Sequence, residues 1–328
     1  MERETIGWLL RSAAERFPDR PALTAGGQTR TYAVLDGLAD LTARRLLACG
    51  VRGGERVALR CGTDETAIVL LYALARIGAA VVLPEPTQDW ERTGGLLKRA
   101  EVTRLIVGDV PEEPDALYPR PRYPEETPFS RGVIYTGQSA CVSTAYLPFD
   151  APGAPMVSAA ELQRAEGAVS PDAPAFLCCS GAAERCSAIR TSHADSVDAA
   201  ETLAGLLNAA EDDRFCLALP LSDPLSLAGN LLAACACGAC LYLPSSFRTG
   251  ALLETVETGR CTVLNGTAAV YRGLLERADL PHWDLSSLRT GLLAVGPDTS
   301  ALLQRCRRAL GLSLRLYSGW EAGERTAI

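Results

Sequence analysis

Dense runs of lysine and arginine are missing from this 328-residue chain, whose formal net charge is −7. That absence argues against a nucleic-acid binder, which presents a basic face to the phosphate backbone. Long uninterrupted apolar runs are missing as well. The two most apolar stretches, 67–82 and 225–243, are broken by Arg76 and by Asn230 with several glycines, so neither makes a membrane span. The N-terminus is charged from its second residue and has no apolar core of the signal-peptide kind, which points to the cytoplasm. Histidine is scarce: His193 and His282 are the only two. Structural zinc sites draw on short Cys/His pairs set apart by a spacer, and zinc is not expected here.

What is present is a globular composition, with 48% hydrophobic and 22% charged residues. Twelve cysteines need a reading other than disulfides. Most sit inside apolar runs, as Cys49, Cys61, Cys216 and Cys261 do. In a reducing compartment such residues act as small buried hydrophobes. The cluster Cys235, Cys237 and Cys240, and the group Cys178, Cys179 and Cys186, also lie in Ala/Leu-rich surroundings, and core packing is the reading preferred over metal binding.

Apolar runs of strand length alternate with helical patterns, which predicts an α/β fold. At the N-terminus Ile6, Leu9, Leu10, Ala13 and Phe17 recur at helical spacing. Strands are expected at 56–60, 80–83 and 104–107, with helices over 66–77 and 90–100. A polar, proline-rich connection follows at 111–128. The second series places strands at 176–179, 215–219, 240–243, 263–264, 291–295 and 313–317. Its helices are expected over 192–207, 225–238, 249–258, 268–277 and 300–310. Two subdomains are therefore predicted, over 1–165 and 166–328. The final stretch, 321–328, is polar, shows no closing element and reads as cut off.

The stretch "FLCCSGAAERCSAIRTSH", residues 176–193, has the outline of a phosphate loop: an apolar strand, then Ser180-Gly181, then a helix-like segment. The cation such a loop uses is absent, and so are a glycine run and a threonine pair. Glu184 adds a charge of the wrong sign, and a like-charge unit pair at 4 Å costs roughly 4 kcal/mol at an effective dielectric near 20.

Seven ordered segments together resemble the large N-terminal domain of the adenylate-forming superfamily, which includes acyl-CoA synthetases, adenylation domains of peptide synthetases and luciferases. They are "RFPDRPAL" with "TRTYAVLDGLADLTARRLLACGVRGGERVAL", "ALARIGAAVVLPEP", "DAPAFLCCSG", "LALPLSDPLSLAGNLLAACACGACLYLP", "TVLNGTAAVYRGLLE", "DLSSLRTGLLAVG" and "LRLYSGWEAGE". The resemblance covers nearly the whole chain. It implies two packed α/β subdomains with helices flanking mostly parallel sheets, and no C-terminal domain of that family within this chain.

The same resemblance implies a function: ATP- and Mg²⁺-dependent activation of a carboxylic acid to an acyl-adenylate. Its nucleotide-binding positions map onto Ser180, Gly181, Ser187, Gly296, Tyr317 and Ser318. Its substrate side maps onto His193, Asp223 and Gly266, and its metal-associated acid onto Glu321. Family loops read Thr-Ser-Gly-Thr-Thr-Gly-x-Pro-Lys-Gly. Here Ala182 and Ala183 stand for the threonine pair, Glu184 for glycine, Cys186 for proline, Ser187 for lysine and Ala188 for glycine. Asp223 stands where many members have histidine, and Ala294-Val295-Gly296 where the adenine meets Gly-Gly-Ala. Trp320 replaces the phosphate-contacting threonine. No catalytic residue is assigned.

Each retained position also has a plainer reading: Ser180-Gly181 as a tight turn, His193 as a packing or capping residue, Tyr317 as core and Glu321 as a solvated acid. Asp223, directly before Pro224, is preferred as a helix N-cap. Two functions follow. One is an acyl-CoA-synthetase-like ligase, weak or inactive as this chain alone and needing a separately encoded C-terminal part. The alternative is a non-catalytic homologue that binds an acyl or nucleotide ligand or a protein partner.

Overall fold

A computed structural model describes residues 4–84, 90–108, 133–136, 147–148, 154–180, 187–295, 299–318 and 324–327. In chain order its strands are β1 (Pro21–Ala25), β2 (Gln28–Thr31), β3 (Arg56–Arg60), β4 (Ala80–Leu83), β5 (Arg104–Val107), β6 (Val133–Tyr135), β7 (Leu147–Pro148), β8 (Pro174–Ser180), β9 (Ser187–Ser192), β10 (Arg214–Leu217), β11 (Cys240–Tyr242), β12 (Val263–Asn265), β13 (Thr290–Ala294), β14 (Ser313–Tyr317) and β15 (Glu324–Ala327). The helices are α1 (Ile6–Arg16), α2 (Tyr32–Ala48), α3 (Glu65–Ile77), α4 (Trp90–Arg99), α5 (Ala159–Gly167), α6 (His193–Leu206), α7 (Pro224–Ser226), α8 (Ala233–Cys237), α9 (Thr249–Gly259), α10 (Ala268–Leu275) and α11 (Thr299–Leu310). A π-helical turn, Leu227–Leu232, joins α7 to α8. The α/β class with mostly parallel sheets is as the sequence predicts.

Contacts divide the chain into two interleaved units. The first comprises Met1–Trp8, Gly37–Asp195 and Gly323–Ile328, and the second Leu9–Asp36 and Ser196–Ala322. This grouping differs from a cut at residue 165. Strand β8, beyond that cut, pairs in parallel with β4 of the first unit.

The sheet of the first unit runs β15-β9-β8-β4-β3-β5-β6-β7, parallel except at β9 and β15. Its central strands are short apolar runs buried along their length, as parallel strands covered on both faces must be. One core cluster packs Leu96, Leu97 and Ala100 against Ala58, Val82, Leu105 and Leu177. Helix α3 is buried from Ala67 to Ile77. It starts where the Asp64 carboxylate accepts the Ala67 amide at 2.8 Å and ends at Gly78, whose φ of 76° requires glycine. Arg76 is wholly buried on it, with Glu166 at 3.5 Å and Asp40 at 3.8 Å.

The sheet of the second unit runs β14-β13-β12-β10-β11-β1-β2, parallel apart from the β1–β2 hairpin. That hairpin turns through Gly26 and Gly27, both at positive φ (55° and 78°), the two-glycine signature of a tight hairpin turn. The Tyr32 hydroxyl donates to the carbonyls of Ala239 (2.6 Å) and Ala234 (3.0 Å), fixing the start of α2 against the end of α8. At the amino ends of β10, β12 and β13, the buried Asp213 carboxylate meets Arg289 and also accepts from Thr262 (2.6 Å) and the Ala210 amide (2.9 Å). Burial alone would raise the Asp213 carboxyl, but the bonds from Arg289, Thr262 and Ala210 hold it below its ordinary value.

Two sequence expectations are corrected. The helix-like reading directly after Ser180-Gly181 fails: 187–192 form strand β9, which returns antiparallel along β8 with Ser180 opposite Ser187. The segment is specified by its pairing along β8, which a local helical reading passes over. The polar stretch 321–328 does contain an element, β15, paired antiparallel to β9 with Thr326 opposite Ala188. Backbone pairing needs no apolar side chain, so its polar composition hid it. The 111–128 connection lies outside the described residues.

Candidate functional site

In the first unit the hairpin β8–β9 carries the phosphate-loop positions. It sets Ser180 directly opposite Ser187 at its loop end, while Gly181 lies outside the described residues. Strand β9 leads straight into α6 through a reciprocal cap. The Ser192 hydroxyl accepts the Asp195 amide at 3.0 Å, and the Asp195 carboxylate accepts the Ser192 amide at 3.3 Å. The next two amides are also engaged, His193 with the Ala173 carbonyl (3.1 Å) and Ala194 with the Pro171 carbonyl (2.8 Å). A helix N-terminus attracts anions through free N–H groups, and these are committed to the protein. Asp195 adds negative charge there.

His193 itself is 0% exposed, and among the described residues neither ring nitrogen has a hydrogen-bond partner. Burial pushes its pKa down to about 4, so the ring is neutral near pH 7. In this position it packs at the first turn of α6. The chain contains one lysine, Lys98, and it lies on α4.

In the second unit the carboxyl ends of β12, β13 and β14 bring several of the predicted positions side by side. Gly266 donates to the Leu292 carbonyl (3.0 Å) and accepts from the Ala294 amide (3.1 Å). Ala294 is paired with Tyr317, and Val295 donates to the Tyr317 carbonyl at 2.8 Å. Val295 is 54% exposed, Tyr317 half-buried and Ser318 exposed. Ligands in open parallel sheets bind outside such strand ends, which makes this surface the candidate binding region of the unit. A Cβ on Gly266 would meet Val270 at 3.1 Å, so the close approach of α10 also calls for glycine there. Gly296 and Glu321 lie outside the described residues.

Asp223 is a helix cap. Its carboxylate accepts the Leu225 amide at 2.8 Å, with Pro224 at the first helical position. Burial raises its carboxyl above the ordinary value, while the Leu225 and Ser226 amides pull it partly back. The preferred sequence reading of this residue holds, and its carboxylate is occupied.

A buried polar group beside the strand ends was not singled out from sequence. Asn265 donates to the Gly229 carbonyl (2.7 Å) and the Asn230 side chain (3.2 Å), and accepts the Leu292 amide (2.8 Å). The Tyr271 hydroxyl donates to the carbonyls of Leu264 (2.5 Å) and Leu292 (3.0 Å). The available signal was an asparagine ending the apolar strand run "TVLN", where a polar side chain needs a buried partner. Among the described residues no group of three His, Cys, Asp or Glu side chains is placed to hold a metal ion, and no helix is long and apolar enough to cross a membrane.

The chain is similar to YngI of Bacillus subtilis, at 26% identity over 325 residues (94% of this chain, 59% of that protein). It is 27% identical over 319 residues to the acyl-CoA ligase sidI of Aspergillus fumigatus (94% and 54%). With a salicyl-AMP ligase of Mycobacterium tuberculosis it shares 30% over 335 residues (97% and 56%). The chain thus spans little more than half the length of these relatives. Among solved structures, an anthranilate CoA ligase, AuaEII, in complex with anthranoyl-AMP superposes with a TM-score of 0.77 at 19% identity, covering 95% of this chain and 58% of that one. The N-terminal domain of FACL13 from Mycobacterium tuberculosis gives 0.74 at 18%, covering 95% and 75%. The AMP-binding enzyme family model matches residues 10–328, and the chain belongs to that family.

Proposed function

We propose that this chain is an acyl-CoA-synthetase-like protein that does not activate carboxylates efficiently by itself. One observation carries the reading: the loop hairpin is built, yet the groups that would hold a triphosphate are not there. Ala182, Ala183 and Ser187 stand for two hydroxyls and a lysine, Glu184 adds negative charge, and the chain's one lysine lies on α4. The first amides of α6 are bonded within the protein. Preorganised donors and positive charge supply most of the catalysis in phosphoryl and adenylyl transfer, so their loss weighs on rate first. The loop sequence fits ATP with Mg²⁺ poorly. On this reading the strand-end surface at Gly266, Ala294, Val295 and Tyr317 is where an adenylate, with one phosphate instead of three, would be held.

On this reading the ligand is a carboxylic acid or its acyl-adenylate. A purified sample is expected to give no carboxylate-dependent ATP–pyrophosphate exchange over a broad acid panel, and calorimetry should register AMP more strongly than ATP. Robust exchange that Glu321→Ala abolishes would establish an autonomous ligase instead. Silence toward both nucleotides favours the second reading, a homologue that engages a protein partner.

A further inference from the structure

The helix after β10 is not continuous α-helix. Between α7 and α8 the turn Leu227–Leu232 is π-helical, and Ala233 donates back to Ala228, five residues earlier. A π turn carries an extra residue and weakens the regular hydrogen-bond ladder, so it persists where something outside the helix satisfies the backbone groups it leaves over. Here that is Asn265, whose amide nitrogen reaches the Gly229 carbonyl at 2.7 Å. Gly229 itself is pressed against its surroundings: a Cβ there would lie 2.7 Å from Leu225 Cδ1 and 3.4 Å from Leu292 Cδ1.

Asn265 has a second task on its other side. The β12–β13 ladder is bridged at Val263 with Thr290 and again at Gly266 with Leu293, with no backbone bridge at the two positions between. Across this gap the Asn265 carboxamide oxygen takes the Leu292 amide, while the Tyr271 hydroxyl spans the Leu264 and Leu292 carbonyls. Asn265, Asn230 and Tyr271 are all 0% exposed. Immediately beyond this stitch lie Gly266, Ala294 and Val295, the strand ends described above.

We propose that Asn265 is a positioning residue that locks the π turn to the ends of β12 and β13, and thereby sets the shape of the strand-end surface that a ligand meets. The ligand half of this statement rests on the adenylate reading; the lock does not. Removing the carboxamide frees the Gly229 carbonyl and the Leu292 amide together, so the π turn and the strand ends loosen as one piece.

The test compares the 328-residue wild-type chain with Asn265→Ala, with Asn230→Ala as a milder variant should the first fail to fold. Cys306→Ala, in the same unit's core but without a hydrogen bond to the Asn265 carboxamide, is the control for general destabilisation. In amide hydrogen exchange, Asn265→Ala is expected to speed exchange about tenfold or more over 228–234 and 290–294, with 56–60 unchanged. Asn230→Ala should show a weaker form of the same pattern. A pattern equal to that of Cys306→Ala, or no change, overturns the lock. In calorimetric titration with AMP, Asn265→Ala should weaken binding at least tenfold while Cys306→Ala leaves it within twofold. Equal affinities overturn the positioning role. A wild type that does not bind AMP overturns the adenylate reading alone, and the exchange measurement still decides the lock.

Discussion

His193 holds an imidazole in a wholly buried place, with neither nitrogen bonded among the described residues. Its folded pKa, about 4, lies below the ordinary value near 6.5. The sign of the consequence follows from proton binding. As pH falls below 6.5 the unfolded chain takes up a proton at this residue and the folded chain does not, until about pH 4. Stability therefore drops across that window, by about 3 kcal/mol if the whole shift is realised. Urea midpoints measured from pH 7 to pH 4 should show this loss in the wild type, and His193→Leu should remove about that much of the slope. A residue-scale reading of the sequence reached as far as two options for His193, contact with phosphate or packing. The structure shows the ring buried, and burial is a property of the neighbours that one residue's type does not carry. Asp223 was more legible, because a carboxylate followed by proline at a helix start has a local partner in the Leu225 amide.

At the scale of elements, the parallel strands were easy to read because strands covered on both faces must be apolar throughout. Among the elements that escaped were β9, the β1–β2 hairpin and the π turn. Each is specified by partners rather than by its own composition: β9 by pairing along β8, β2 by the two-glycine turn, the π turn by Asn265. The candidate site followed the same division. Its positions could be located by order along the chain, but the polar group that supports the strand ends could not. The hairpin also suggests a test of what the loop has lost. Substituting Glu184→Gly together with Ser187→Lys removes a like charge and restores a cation at the loop. Calorimetric affinity for ATP should rise about tenfold or more, with AMP less affected. An unchanged ATP affinity would show that the loop hairpin no longer faces the phosphates.

The whole chain is built from two sheets whose strands alternate along the sequence rather than occupying separate halves. The strands at 21–31 belong to the sheet completed by 214–217, 240–242, 263–265, 290–294 and 313–317, while 174–180 and 187–192 complete the other. A fragment ending at residue 165 would lack β8, which lies between β4 and β9, and would carry β1–β2 without its neighbour β11. Expressed alone, it should show no cooperative thermal transition by circular dichroism, whereas the full chain should. A cooperative melt of the fragment would mean that the first sheet does not need β8. A linear reading predicted a cut at 165 because two rhythms of strand and helix follow one another. Pairing across long sequence distances leaves no mark on that rhythm.

The pairing of β1 with β11 joins Leu23 to Leu241. At a synthesis rate of about 5–20 residues per second, the N-terminal hairpin leaves the ribosome roughly 10–45 s before its sheet partner is made. Throughout that interval one side of β1 offers unpaired amides and carbonyls to any other strand nearby. The second unit is therefore a late-closing one, and its unpaired edge belongs to the nascent chain more than to the finished protein.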